Sequence, residues 1–180
     1  HQIELTAERP LRNGWSGSAT AYYQAFANFI YLDETGEELN DLPVFVASET
    51  QAHISGVEFS GVADLNAHWS AKWAASAIRA VDAQGEALPL IPPANVRLEN
   101  RWQTTTESGR RWDAQFIVRA STEAVLLDAG TSMWWNEHVR TSLTGSNLLN
   151  TNYRTILSQL NNLGLPEPGR NLKLRLEWHF

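Results

Sequence analysis

Six basic side chains have the type and the spacing to bind an anion. They alternate with apolar residues in three segments, 96–104, 111–119 and 171–180, and this alternation is typical of strands with one polar and one apolar side. If the three strands share a sheet, its polar side carries an excess of positive charge. The six residues of this basic face are Arg97, Arg101, Arg111, Arg119, Lys173 and Arg175.

The basic face has two interpretations. On a protein of formal net charge −6, it could bind RNA, another anionic polymer or an acidic protein partner. Alternatively, Glu99, Asp113 and Glu177 pair with basic neighbours across the strands and keep a wet surface soluble. Single-stranded RNA stacks on aromatic side chains of an open sheet face, whereas Trp102 and Phe116 lie on the opposite side, which disfavours RNA.

The eight tryptophans are a second candidate feature, because indole rings supply large, rigid contact areas for ligands and proteins. Most of them fall in register with apolar positions and are expected in a hydrophobic core. Trp15, Trp69 and Trp135 are explained least well by such a core. They are therefore the candidate exposed aromatic binding residues.

His1 would permit a copper site if it were the natural first residue, since its α-amine and imidazole could chelate the metal with a second histidine. A tag remnant is the favoured explanation, whereas removal of a signal peptide would favour an exported or periplasmic protein. His138 beside Glu137 could act as a general base, but adjacent residues of a helix point about 100° apart. The leading prediction includes no catalytic residue, no metal and no cofactor.

Composition excludes several chemistries. The 180 residues contain no cysteine, which excludes disulfides, cysteine-containing zinc sites and thiol catalysis within this sequence. No phosphate-binding loop or dinucleotide fingerprint occurs. The acidic segment 33–41 lacks the register of a calcium-binding loop and is predicted to be a solvated connection. No apolar run approaches the ~18 residues of a spanning helix, so the sequence predicts a soluble protein.

The spacing of apolar residues divides the chain into strands and helices. Strands are predicted over 2–8, 44–47, 53–62, 96–104, 111–119 and 171–180. Helices are predicted over 18–32, 64–82, 131–143 and 146–163, although the aromatic residues of 18–32 keep a strand possible there.

From residue 53 the predicted order is strand, helix, strand, strand, helix in two pieces, strand. This is the order of a split βαβ or ferredoxin-like fold, an antiparallel or mixed sheet with helices on one face. A second frame that starts at residue 2 has the same order. Both frames give a single α+β domain over 1–180, and the first leaves an N-terminal extension. In this fold Trp112 and Trp178 lie beneath the helices.

The leading functional prediction is a non-catalytic module that binds or assembles with another macromolecule, with a protein as its partner. Two alternatives stay open. One is an enzyme with a dispersed active site, of which the copper site at His1 is one form. The other is a protein that binds RNA or another polyanion through the basic face.

Overall fold

Long antiparallel strands make up most of the chain. The computed structural model describes residues 1–11, 14–40 and 42–180. Within them the chain forms nine strands and one short helix: β1 Gln2–Leu11, β2 Trp15–Leu39, β3 Leu42–Asp64, β4 Trp69–Asp82, β5 Asn95–Thr105, β6 Arg111–Ser121, β7 Val125–Trp134, β8 Val139–Ser146, α1 Gln159–Asn162 and β9 Asn171–Trp178. Each strand pairs with the next along the chain, which makes the sheet an antiparallel meander.

The two ends of this sheet differ in their connections. At one end, strands are joined over 65–68, 106–110 and 135–138, and we call it the short-turn end. At the other end, β2 and β3 form a tall hairpin, and the connections 83–94 and 147–170 are long. We call it the long-loop end.

The sheet also has two chemically different sides. On β9, Leu172, Leu174 and Leu176 are 67%, 76% and 69% exposed, and Lys173 and Arg175 alternate with them on the other side. The cross-strand register carries this division from strand to strand, because paired residues project to the same side. The side of Leu174 is the apolar side, and the side of Arg175 is the polar side.

The α+β prediction is wrong, since the four predicted helices are strands, turns or loop. Segment 18–32 lies within β2, where Tyr22 and Tyr23 project to opposite sides. Segment 64–82 contains all of β4. Alanine intrinsically favours helix, but β4 pairs with β3 along one edge and β5 along the other, and this pairing overrides the propensity.

The other two predicted helices fail in different ways. Segment 131–143 covers the end of β7, a turn and the start of β8. Segment 146–163 is mainly connection and contains the four-residue α1, whose N-cap is Ser158. No helix in the described part of the chain is long and apolar enough to cross a membrane.

Most of the predicted strands have longer counterparts in the structure, whereas β9 ends at Trp178, two residues before the end of the predicted strand 171–180. Segments 44–47 and 53–62 are parts of the single strand β3. The acidic segment 33–41 was expected to be a connection, but its residues 33–39 continue β2, and Asp41 lies outside the described residues. The hairpin of β2 and β3 is therefore much taller than the sequence predicts.

The apolar side is not covered by helices. Trp112 is 37% exposed and Trp178 is 64% exposed, whereas the ferredoxin-like fold requires both to be buried. Within residues 1–11, 14–40 and 42–180 there is no second layer over this side, because α1 is the only helix. The polar side is correspondingly not the outer surface of a two-layer domain.

A small apolar core lies at the long-loop end. Ala52, Ala80 and Leu88 are buried, and partly buried neighbours pack against them: Phe29, Tyr31, Ile54 and Ile91. The backbone N–H of Leu88 donates to the carbonyl oxygen of Ala80 at 3.0 Å. Connection 83–94 is thus fastened to the polar side of β3 and β4.

Gly61 is a position where the packing requires glycine. A Cβ there would overlap the indole of Trp73 and lie 2.8 Å from the carbonyl oxygen of Ser16. The Trp73 ring also packs against Trp15, with 5.8 Å between centroids. We expect Gly61→Ala to displace Trp73 and to lower the free energy of unfolding by about 1–3 kcal/mol in urea titrations. In a Trp73→Ala background the same change should cost much less, and an equal cost would contradict this explanation.

Candidate functional site

Cross-strand register arranges the polar side of β5 to β9 in three adjacent rows. The first row contains Arg101, Gln115, Gly130, Thr144 and Lys173. The second contains Gln103, Asp113, Ser132, Ser142 and Arg175. The third, nearest the short-turn end, contains Thr105, Arg111, Trp134, Arg140 and Glu177.

These rows form a recess of about 350 Å³, which we call the basic recess. Its middle is made of small residues, Gly130, Ser132 and Ser142, and long charged side chains stand around them. Five cations and two carboxylates line it, an excess of three positive charges: Arg101, Arg111, Arg140, Lys173 and Arg175 against Asp113 and Glu177.

Each carboxylate of the recess is shared by two guanidinium groups. Asp113 accepts hydrogen bonds from Arg101 at 2.9 Å and from Arg111 at 3.4 Å. Glu177 accepts from Arg140 and Arg175, both at 3.3 Å. Because a guanidinium has five N–H donors, these bonds leave many donors for other acceptors.

Trp134 contacts two arginines of the third row. The guanidinium carbons of Arg111 and Arg140 lie 5.9 Å and 5.6 Å from the centroid of its ring, within cation–π distance. Arg140 also donates to the hydroxyl of Ser132 at 3.2 Å. Sequence reasoning missed Trp134 and Arg140 as site residues, because it placed them in a helix. The alternation of Arg140 and Ser142 with apolar neighbours was the available signal.

All six residues of the predicted basic face lie on the polar side, but they do not form one patch. Four of them line the basic recess. Arg97 lies apart from it and bonds Glu99 at 3.1 Å. Arg119 bonds Asp128 at 2.7 Å. Ion pairs with neighbouring carboxylates therefore explain the positions of Arg97 and Arg119 without a ligand.

The candidate aromatic residues have a shared location. Trp15 and Trp69 lie on the apolar side, 43% and 40% exposed, and Trp135 lies in connection 135–138, where its Nε1 donates to the Thr141 hydroxyl at 2.6 Å. All eight tryptophans lie at the short-turn end, within the terminal five residues of a strand or in a connection: Trp15, Trp69, Trp73, Trp102, Trp112, Trp134, Trp135 and Trp178. They form a belt rather than a core.

The histidine candidates do not assemble into a site. The terminal ammonium of His1 donates to the carbonyl oxygen of Ala25 at 2.9 Å. Across the described ranges, no three His, Cys, Asp or Glu residues are grouped so as to hold a metal ion. His138 lies in a turn, with its Nδ1 3.0 Å from the carbonyl oxygen of His179 and its Nε2 3.7 Å from Glu137. The copper interpretation of His1 gains no support from the described residues.

A polar network fastens the connection 147–170 to the sheet. Asp128 accepts from the guanidinium of Arg119 at 2.7 Å and from the backbone N–H of Asn147 at 2.8 Å. The buried amide of Asn147 in turn donates to the carbonyl oxygens of Thr151 and Pro168. One carboxylate therefore anchors both ends of the connection indirectly.

We expect Asp128→Ala to loosen this connection, since it removes the acceptor of Asn147 and leaves Arg119 unpaired. The rate of limited proteolysis within 147–170 should rise at least several-fold, while the sheet stays folded. Glu99→Ala, which removes an ion pair far from the connection, is the control. Equal proteolysis rates in the two variants would contradict the anchoring role.

The alternating sides, the meander and the tryptophan belt agree with a sequence comparison. The family described as TonB dependent receptor-like, β-barrel, matches residues 1–169. The chain belongs to this family. Membership of this family contradicts the predicted soluble α+β fold. It also contradicts the two functional predictions of a separate assembly module and of a protein that binds RNA, so these predictions are wrong. The expected protein partner agrees with the family only at a coarse level, because the family's name includes the protein TonB.

Two solved structures have the same fold as this receptor-barrel chain. The copper transporter OprC matches with a TM-score of 0.83 and 18% identity over 99% of the chain. P. aeruginosa FpvA, in a complex with a heterologous pyoverdine and iron, matches with a TM-score of 0.67 and 13% identity over 99% of the chain. The chain covers 32% and 26% of those two proteins. No curated protein sequence matches it.

Proposed function

We propose that this chain is part of the membrane-spanning wall of a receptor that takes up a small ligand across an outer membrane, with TonB as its protein partner. The observation that carries the proposal is the exposed leucine row of β9 behind a charged polar side, in a chain of the receptor-barrel family. In such barrels, residues that face lipid and residues that face the lumen alternate along each strand.

The apolar side suits lipid better than water. A row such as Leu172, Leu174 and Leu176 is more than two-thirds exposed, and each such side chain would gain about 1.5–3 kcal/mol on leaving water. Hydrocarbon supplies this burial without a second protein layer. The paired backbone of the meander also meets the requirement that polar backbone groups be satisfied within a bilayer.

The positions of aromatic and polar residues on the apolar side indicate where the two membrane interfaces lie along the strands. Eight residue steps separate Trp15 from Tyr23 on β2, which at ~3.3 Å per residue and a tilt of ~40° is roughly 20 Å, close to the ~25 Å apolar band of such barrels. Tyr23 lies level with Arg79, and its hydroxyl is 2.7 Å from Nδ1 of His53. Amphipathic side chains of this kind favour the membrane interface.

The polar side then faces the lumen, and the long-loop end projects beyond the second interface. The two solved neighbours are a copper transporter and a receptor bound to an iron–pyoverdine complex. We propose a metal chelate as the cargo class of this receptor, since a lumen wall with an excess of three positive charges would repel a bare metal cation. The size and charge of the lumen wall at the basic recess support a small solute over a polymer.

Membrane fractionation of cells that express the full-length protein tests this function. We expect it to sediment with the outer membrane on a density gradient, and to migrate faster in gel electrophoresis when it is not boiled, as folded barrels do. Recovery in the soluble fraction, or identical migration with and without boiling, would overturn the proposal.

A further inference from the structure

We infer that the apolar side of β3 to β6 binds a phosphate-bearing lipid of the outer leaflet, with one acyl chain in an apolar groove and the phosphate at Arg79. The inference rests on the proposed function, since it names a ligand of the side that faces lipid. The rest of the barrel would add strands only beyond β1 and β9, the two edges of the sheet, so those strands lie beside β3 to β6 and not over them. A lipid can therefore reach this part of the wall in the complete receptor.

The apolar groove has a volume of about 370 Å³ and crosses these strands toward the long-loop end. Cross-strand register places Phe59, Ala75 and Val96 in one row of the apolar side, with Val57 and Ala77 in the next row. Phe59, Val57 and Val96 are exposed, and the alanines between them leave the groove open. An acyl chain in the groove gains dispersion contacts on several sides, whereas a chain on a flat wall has contacts on one. The groove therefore fits the hydrocarbon part of a lipid.

Arg79 lies at the end of the groove nearest the long-loop end. It follows Ala77 by two residues on β4 and projects to the same side. Within the described strands, Arg79 and Arg9 are the two lysine or arginine residues on the apolar side, and Arg9 lies at the opposite, short-turn end. The one cation of this side near the long-loop end is thus placed beside the groove.

The guanidinium of Arg79 has no protein carboxylate to pair with in the described ranges 1–11, 14–40 and 42–180, where none lies within ion-pair distance. A charge beside hydrocarbon is screened less than a charge on an aqueous surface, so an unpaired arginine there is costly. A lipid phosphate at the interface supplies the opposite charge, and a planar guanidinium binds two of its oxygens at once. Charge complementarity therefore favours an anionic lipid over a neutral one.

Further hydrogen-bonding groups lie beside Arg79. Register places Ser55 between Arg79 and Tyr23, in one row across β4, β3 and β2 that spans about 10 Å at ~4.8 Å per strand. The Tyr23 hydroxyl is 2.7 Å from Nδ1 of His53, and the two rings stack with 5.9 Å between their centroids. This contact orients the imidazole and leaves its Nε2 for a ligand. A headgroup whose phosphate lies at Arg79 thus meets hydroxyl and imidazole groups next to it.

The groove and Arg79 follow one another in the order of a lipid molecule. Barrels of this kind have short periplasmic turns and longer extracellular loops, so the long-loop end is the outer side of the membrane. Arg79 shares its row with Tyr23, which lies at the outer interface, and the groove begins on the hydrocarbon side of that row. Phosphate and acyl chain of an outer-leaflet lipid have the same arrangement.

Native mass spectrometry of the purified full-length protein, released from detergent micelles, tests the inference. We expect dioleoyl phosphatidylglycerol to bind at least tenfold more tightly than dioleoyl phosphatidylcholine, which has the same chains and no net charge, and lipid A to bind at least as tightly as phosphatidylglycerol. Arg79→Gln should weaken binding of both anionic lipids at least tenfold. Arg9→Gln, which removes an arginine from the same side at the other interface, should leave their affinities within twofold of the parent protein.

A second pair of variants tests the groove and leaves the cation in place. Ala77→Phe fills the groove with an apolar ring that suits a side facing lipid, and we expect it to weaken binding at least tenfold. Ala7→Phe makes the same change on the apolar side of β1, away from the groove, and should keep the affinity within twofold. Each variant must show the mobility shift on boiling that marks the folded barrel.

Three results with folded, outer-membrane protein would overturn this inference and leave the proposed function intact. They are equal affinities for the two dioleoyl lipids, displacement of the bound lipid by equimolar inorganic phosphate, and an unchanged affinity in either Arg79→Gln or Ala77→Phe. Absence of the protein from the outer membrane would instead overturn the proposed function.

Discussion

Leu174→Arg is expected to lower the free energy of unfolding in a lipid bilayer by about 2–4 kcal/mol, the cost of a basic side chain near the bilayer midplane. Leu174 projects from the apolar side of β9, four residues from the interfacial Trp178, and its cross-strand neighbour Leu143 projects to the same side. On this side its neighbours along and across the strands include Leu143, Leu172 and Leu176, which offer an arginine no hydrogen-bond partner. Urea unfolding of the protein in vesicles measures the change.

Thr20→Arg is the matched control, because it places the same side chain at comparable depth on the polar side, opposite Glu58. We expect this substitution to change the stability by less than about 0.5 kcal/mol. If β9 instead faced water, Leu174→Arg would also fall within that range. Equal and small effects of the two substitutions would therefore contradict the lipid-facing assignment.

Asp113→Ala is expected to cost about 1.5–3 kcal/mol of folding stability. The Asp113 side chain is only 12% exposed and accepts from two guanidinium groups, so its removal leaves Arg101 and Arg111 without their shared carboxylate. Hydrogen bonds to charged groups typically contribute about 1.5–3 kcal/mol, and the two arginines, which are 49% and 55% exposed, remain partly solvated in the variant. The measurement is again urea unfolding in lipid vesicles.

Glu99→Ala is the control for Asp113→Ala, because Glu99 bonds a single guanidinium, that of Arg97, and is 21% exposed. We expect it to cost no more than about 1 kcal/mol. A cost for Asp113→Ala as small as that for Glu99→Ala would show that the shared carboxylate does not organise the recess.

Apolar and polar side chains alternate visibly in the sequence, and this alternation predicted the strands that contain the site. Residues 96–104, 111–119 and 171–178 are strands, and the six predicted basic residues share one side. What the alternation does not encode is the medium on the apolar side. A row of leucines has the same sequence pattern whether helices or lipid cover it. The sequence therefore predicted helices over a side that lipid covers instead.

Other errors have separate physical causes. The alanine-rich segment 64–82 has high helix propensity, but its residues 69–82 form β4, which pairs with β3 and, over 69–76, also with β5. The tryptophan belt is invisible before the register is known, because its members are far apart in sequence. Arg140 lines the recess, and Trp134 contacts two of its arginines, but the sequence placed both residues and the turn at 135–138 inside a helix.

The central claim is that the apolar side of the sheet faces lipid. These 180 residues contain no cysteine, so single cysteines at positions 172 to 177 give unambiguous spin-label sites once any cysteine elsewhere in the full-length protein is replaced by serine. We predict that labels at 172, 174 and 176 collide mainly with dissolved oxygen, which concentrates in hydrocarbon. Labels at 173, 175 and 177 should lack this strong oxygen collision. Strong collision with a water-soluble nickel complex at 172, 174 and 176 would contradict the account.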